Sequence, residues 1–208
     1  MSDYIILCDF DGTISLQDTC VPILEQFADG DWELYDDLLS KGQIDLHECM
    51  RKQFGMIRAD ISTILRTLGS VPIRSGFAEF VSFSLSEGIE FVIVSAGLDF
   101  IIKSVLLENN LDLPVVSAKV VDERFNLEFP ALHYPDSIDF KADQVKFYQT
   151  QKKKVIFIGD GNSDLQGALQ ADVVFAVKSS FLNSHFENSF SNFLELKKCL
   201  KKHIISPF

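Results

Sequence analysis

Tyr4–Cys8 (YIILC) is an unbroken apolar run that stops at two aspartates, Asp9 and Asp11. A strand with no polar alternation is what burial on both faces of a parallel sheet requires. Parallel neighbours in turn need crossover segments, usually helices. The rest of the chain supplies them. The apolar spacing predicts helix Ser75–Glu87 closed by Gly88, strand Glu90–Ser95 and helix Leu98–Asn109. Short strands follow at Pro114–Val121 and Phe125–Phe129, read as a flap or hairpin over a site together with His133. Helix Ala142–Thr150, strand Lys154–Gly159, helix Asn162–Gln170, strand Asp172–Val177 and a last helix near Ser191–Lys202 complete the pattern. Strand and helix in alternation define an α/β fold, a parallel sheet with helices on both faces.

Residues 18–68 break this rhythm, being helical throughout, with turn signals at Gly30, Ser40-Lys41-Gly42 and Gly55 and N-caps at Asp45 and Asp60. This stretch reads as an inserted helical cap. The expected division is a core of residues 1–14 and 73–208 and a cap of residues 15–72, joined near Ser15 and Pro72.

Composition narrows the partners. Nineteen Lys and Arg against thirty Asp and Glu give a net charge of −11, which argues against a nucleic-acid backbone as partner. The lysine runs Lys152–Lys154 and Lys197–Lys202 read as solvated surface, as do His47 and His185. No apolar run approaches the ~20 residues of a bilayer span. The start, Met-Ser-Asp-Tyr, carries no basic leader, and the four cysteines are scattered, so a reducing cytoplasm is the expected compartment.

Three strand ends carry polar clusters, and in open α/β sheets ligands sit beyond the carboxyl ends of the strands. At the first, Asp9 and Asp11 point to one side and can share a metal ion or a reacting group, while Gly12 frees the following amides for an anion. Asp-Gly alone also marks an ordinary turn. At the second, Ser95-Ala96-Gly97 closes a strand and opens a helix, which suits phosphate but equally describes a common N-cap. At the third, Gly159-Asp160-Gly161-Asn162-Ser163-Asp164 adds two more carboxylates. A calcium loop beginning at Asp160 fails, since Leu165 falls where the glycine is needed and Ala171 where the bidentate glutamate is needed. Mg²⁺, usually held by one or two carboxylates plus water and substrate phosphate, is the better candidate.

Taken together, these clusters resemble the four motifs of the haloacid dehalogenase (HAD) superfamily of phosphotransferases. Asp9–Thr13 is similar to DxDGT, Ser95 to the second motif, Lys141 to the third and Gly159–Asp164 to GDGxSD. Lys146 or Lys152 are alternatives for the third. The resemblance implies a Rossmann-like parallel sheet with an inserted cap, acting as a phosphatase. It implies Asp9 as nucleophile and Asp11 as acid and then base, with a raised pKa. Mg²⁺ would lie among Asp9, the Asp11 carbonyl, Asp160 and Asp164. Ser95, Lys141 and the backbone at Gly12, Thr13, Ala96 and Gly97 would hold the phosphoryl oxygens.

The helical insertion resembles that of phosphoserine-phosphatase-like members. The runs Leu39-Ser40-Lys41, Gln53-Phe54-Gly55, Gly76–Val81 and Ser95–Phe100 resemble methionine-salvage phosphatases of the MtnX type, which implies 2-hydroxy-3-keto-5-methylthiopentenyl-1-phosphate as substrate. A departure is His133–Ile138, which lacks the cysteines that family can carry before the third-motif lysine. In the cap, Phe27, Trp32, Phe54 and Met56 are candidates for an apolar wall, and Arg51, Lys52 and Arg58 for partners of a substrate carboxylate. A receiver-like phosphate-holding module, a phosphotransferase with an alcohol acceptor and a dehalogenase are the rival classes; an acid at Asp11 and the helical cap argue against the first and last.

Overall fold

The structure, a computed structural model, describes residues 2–202. The chain runs through β1 (Tyr4–Cys8), then α1 (Val21–Phe27), α2 (Glu33–Ser40), α3 (Leu46–Phe54) and α4 (Ile61–Leu68). Next come α5 (Phe77–Ser86), β2 (Glu90–Leu98), α6 (Asp99–Glu108), β3 (Val115–Val120) and β4 (Leu127–Glu128). The last third holds α7 (Phe140–Thr150), β5 (Lys154–Gly159), α8 (Leu165–Gln170), β6 (Val173–Val177), β7 (Ser189–Phe190) and α9 (Phe193–Leu200). One sheet has the order β4-β3-β2-β1-β5-β6-β7, parallel except for the antiparallel edge strand β4. The α/β architecture expected from the sequence is therefore the one observed.

Strand β1 sits in the middle of the sheet and its two faces feed two different cores. Ile6 and Cys8 pack with Phe77, Phe80 and Val81 of α5, Ile102 and Val105 of α6 and Phe193 and Leu196 of α9. Ile5 and Leu7 pack with Phe140 and Val145 of α7 and Ala168 of α8. Burial on both sides explains why the YIILC run carries no polar residue.

Helices α1–α4 follow the predicted caps: Asp45 accepts from Glu48 N at 2.7 Å and Asp60 from Thr63 N at 2.8 Å. The two connections to the sheet lie side by side, with Ser15 bridged to Ile73, Leu16 N on Pro72 O at 2.9 Å and Arg74 N on Ile14 O at 2.7 Å. The four-helix segment shares its apolar cluster with the sheet. Ile23, Leu24, Met50, Phe54, Ile57 and Ile64 pack with Leu98, Ile101, Ala118, Phe125 and Leu127.

Three expectations change. Ser95-Ala96-Gly97 does not open a helix: β2 continues to Leu98 and α6 begins at Asp99. The pairing explains why, since β2 spends Ser95, Ala96 and Gly97 against the single residue Ser117 of β3, between the pairs Val94–Val116 and Leu98–Ala118. The extra residues bulge out of register. Of the flap or hairpin read at Phe125–Phe129, the hairpin is what forms: β4 pairs antiparallel with β3 at the sheet edge, and the segment does not line the cleft as a flap. Phe129 stacks on His47 with ring centroids 4.1 Å apart and lies under Arg51. His47 is thus half-buried against β4 and not a free surface residue.

Candidate active site

Beyond the carboxyl ends of β1 and β5 the chain gathers Asp9, Asp160 and Asp164, whose nearest ligand oxygens all lie within 4.8 Å of one another. Lys141, in the first turn of α7, is fully buried beneath them and donates to Asp9 Oδ1 at 2.7 Å and Asp164 Oδ1 at 2.5 Å. Asp164 accepts with its other oxygen from Asp160 N and Gly161 N, both at 2.9 Å. Both its oxygens are therefore occupied, and it fixes the loop that carries Asp160. The alternative lysines lie elsewhere: Lys146 pairs with Asp136 at the surface, and Lys152 is exposed in the turn after α7. Asp139 caps α7 through Ala142 N at 2.8 Å, which sets the turn holding Lys141.

The electrostatics follow from this packing. Burial, then the charge of Asp164, pushes the Asp9 carboxyl well above its ordinary range, and Lys141 pulls it back. Burial works against the Lys141 charge, yet Asp164 and Asp9 raise its pKa overall, so it is a permanent cation. Asp160 is also raised, chiefly by burial. Three carboxylates gathered round one buried ammonium, with the Arg74 guanidinium acting on Asp160, form an anionic cluster that suits a cation.

Asp11 stands apart from the Lys141 cluster. Its Oδ1 accepts from Thr19 N at 2.9 Å. Burial, reinforced by the charge of Asp18, raises its pKa to about 6 against the pull of Thr19. One carboxyl beside the cluster thus titrates closer to neutrality than an ordinary aspartate.

The loop after β1 is held by contacts no motif announces. Gly12 has φ +79°, and a Cβ there would fall 2.4 Å from Asp160 Oδ2, so only glycine lets the loop approach that carboxylate. Thr13 is fully buried; its hydroxyl donates to Asp160 Oδ1 at 2.9 Å and its amide to Phe10 O at 3.3 Å. Its observed contacts orient Asp160. Arg74 donates to Gly12 O at 2.6 Å, Thr13 O at 2.8 Å and Ser191 O at 3.2 Å. Nothing in the sequence singles out Arg74 beyond its place just after the second connection. On β2 the bulge brings Gly97 so near that a Cβ would lie 2.6 Å from Asp11 Oδ2, and Ser95 Oγ accepts from Gly97 N at 3.0 Å.

These groups floor a cleft of about 320 Å³. Asp9, Asp11, Ser95, Ala96, Gly97 and Asp160 line the sheet side, while Leu24, Trp32, Leu46, Met50, Gln53 and Phe54 line the opposite wall with Asp18 and Asp36. Of the apolar candidates, Trp32 and Phe54 are there, whereas Phe27 and Met56 are not, Met56 packing over Gly30. Leu24, Leu46 and Met50 take their place; they sit on the inward faces of α1 and α3, a matter of helix rotation and packing. No lysine or arginine lines the cleft among the described residues. Arg51 lies over Phe129, Arg58 bonds to the carbonyls of Gly55 and Ile57, and Lys52 is exposed. His133 is held by Asp143 at 2.7 Å outside the cleft. Cys20 lines the cleft but burial holds its thiol protonated, so it is no nucleophile.

Acidic strand ends flanking a buried lysine, beneath a helical wall, define a hydrolase class, and the whole-chain comparisons agree. The chain belongs to the haloacid dehalogenase-like hydrolase family, whose model matches residues 6–169. It is a phosphoric monoester hydrolase of that family. It is 33% identical to the 2-hydroxy-3-keto-5-methylthiopentenyl-1-phosphate phosphatase of Bacillus velezensis, over 83% of this chain and 77% of that protein. It is 29% identical to the protein of the same name from Bacillus pumilus, over 95% and 90% of the two chains. In fold it resembles a phospho-aspartyl intermediate analogue of phosphoserine phosphatase, with a TM-score of 0.71 at 15% identity over 97% and 99% of the two chains. Among the described residues no helix is long and apolar enough to cross a membrane.

Proposed function

We propose that the protein is a Mg²⁺-dependent phosphomonoesterase that works through a phosphoaspartate on Asp9 and acts on 2-hydroxy-3-keto-5-methylthiopentenyl-1-phosphate. The observation that carries the reading is the pairing of an acidic, lysine-braced floor with an apolar wall that holds no cation. Residues 15–72 act in this reading as a cap that reads the leaving group, and the remainder as the catalytic core. Asp9, Asp160 and the Asp11 carbonyl are the groups for Mg²⁺, with Asp164 behind them; the gathered carboxylates suit a divalent ion. When bound, the cation screens the attacking carboxylate from the phosphoryl charge and favours its ionised form.

One oxygen of Asp9 is pinned by Lys141, which leaves the other to attack phosphorus while the ester P–O bond breaks. Asp11, protonated near its pKa of about 6, gives its proton to the departing oxygen. It then takes a proton from the water that attacks phosphorus and frees Asp9 and inorganic phosphate. Lys141 and Ser95 neutralise the phosphoryl oxygens in this reading, whereas the Gly12, Thr13 and Gly97 amides already donate to Ser15 Oγ, Phe10 O and Ser95 Oγ. The apolar wall of Leu24, Leu46, Met50, Phe54 and Trp32 suits a methylthio chain. Phosphoserine, the second reading, is favoured by the fold likeness alone, and its carboxylate would meet Asp18 and Asp36 in this cleft.

A phosphate-release panel tests this. Purified protein with Mg²⁺ is given the methylthio enol phosphate, phosphoserine, pyridoxal phosphate, sugar phosphates and p-nitrophenyl phosphate, with Asp9→Asn as blank. Preferred release from the enol phosphate is expected, and preferred release from phosphoserine would reverse the substrate assignment. Release from none of them would point to an alcohol acceptor in place of water.

A further inference from the structure

Gln53 of α3 is a buried polar residue in the helical wall, 6% exposed, among apolar neighbours. Its side-chain NH₂ has two hydrogens and both are used: one goes to Trp32 O at 3.2 Å, the other to Asp36 Oδ1 at 2.8 Å. A carbonyl and a carboxylate can only accept, so the amide has one allowed orientation; turned over, its oxygen would face two acceptors. The Oε1 atom is the end left over. Among the described residues no protein donor meets it, and it is not one of the buried atoms left without a partner, so it is an accessible acceptor on a residue that lines the cleft. The polar groups beside it on the same wall, Asp18 and Asp36, are acceptors as well.

From this geometry we infer that Gln53 is a specificity-determining residue: its Oε1 accepts a hydrogen bond from a hydroxyl of the leaving group. Trp32 and Asp36 act through it by holding the amide in that orientation. The cleft then selects phosphates whose organic part pairs a hydroxyl donor with an apolar chain, and it rejects those that present a carboxylate there. The inference rests on the phosphatase reading of the cleft. It also gives the hydroxyl named in 2-hydroxy-3-keto-5-methylthiopentenyl-1-phosphate a partner, which the apolar wall alone does not supply.

The test uses substrate pairs that differ by one hydroxyl: the methylthio enol phosphate against its 2-deoxy counterpart, and propane-1,2-diol 1-phosphate against propyl phosphate. Wild-type protein is expected to prefer the hydroxylated member by about tenfold in kcat/KM, the scale of one hydrogen bond made in a buried site. Gln53→Met keeps the volume, removes the acceptor and should bring that ratio close to one, mainly through KM. Asp36→Ala, at an exposed position, frees one N–H and should reduce the ratio at least threefold, an arm that stands even where Gln53→Met folds poorly. A wild-type ratio near one on both pairs, or variants that lower both members of a pair equally, would overturn the inference. Failure of the enol phosphate with retained discrimination on the propanediol pair would instead remove only the methionine-salvage substrate.

Discussion

On the sheet side of the cleft, the charged groups are locked to one another: Lys141 bridges Asp9 and Asp164, Thr13 braces Asp160, and Arg74 clasps the loop from behind. On the helical side, Leu24, Met50 and Phe54 are held only by apolar packing, and the directed contacts run through Gln53. The first wall depends on particular atoms at fixed distances, so a single atom changed there should be felt throughout the chemistry. The second depends on shape, which tolerates exchange and tunes affinity. In the proposed function, chemistry would rest on the directed contacts of the first wall, and selectivity on the packing of the second together with Gln53.

The sharpest break falls on the first wall. Asp9→Asn should lower kcat on every substrate by on the order of 10⁴-fold or more, as loss of a nucleophile does, with the melting curve near that of the parent; retained Mg²⁺-dependent turnover would refute the assignment. Lys141→Met should come next, since it strands Asp9 and Asp164 as buried charges. Breaking a buried pair in this way costs about 3–5 kcal/mol, readable as a drop in the urea midpoint. Chelation should silence turnover, and the raised Asp9 and Asp160 carboxyls give that binding a sign. A carboxyl with a raised pKa still holds its proton as pH falls, so protons compete with the cation. Mg²⁺ should bind more weakly at pH 6 than at pH 8 in a calorimetric titration.

The acid role of Asp11 predicts a milder, graded effect. The proton it donates is present below its pKa of about 6 and lost above it. Consequently kcat/KM should decline as pH rises through that region, and Asp11→Asn should remove this limb while slowing release of the alcohol. The smallest effect should come from outside both walls. Arg51→Ala, which removes a cation lying over Phe129 outside the cleft, should leave kinetics within about twofold of the parent. A large rise in KM for phosphoserine in that variant would sharpen the comparison in the other direction, by placing a cation in substrate recognition.

The same contrast explains what could be read from the sequence. Asp9, Asp11 and Asp160 were legible because strand ends and short loops tie residue order to position, whereas Lys141, on α7, was named only through the family resemblance, with Lys146 and Lys152 beside it. Asp45 and Asp60 were legible as caps for the same local reason. The bulge at Ser95–Gly97 was not, because it arises from the register of β2 against β3, a pairing between distant segments. Leu46 and Met50 were missed in favour of Phe27 and Met56, since helical spacing names a face but does not say what the face looks at. Arg74 and Gln53 carry no motif; their roles come from carbonyls and carboxylates supplied by other elements.

The central place of β1 has a temporal consequence. Its partner β5 begins at Lys154, and Lys141 and Asp160 arrive from the same late part of the chain. A growing polypeptide that has released only its first hundred or so residues holds Asp9 without its counter-ion and β1 without a neighbour on one side. On the proposed mechanism, turnover is expected only after the last third has emerged, so its onset on a ribosome would serve as a clock for completion of the sheet.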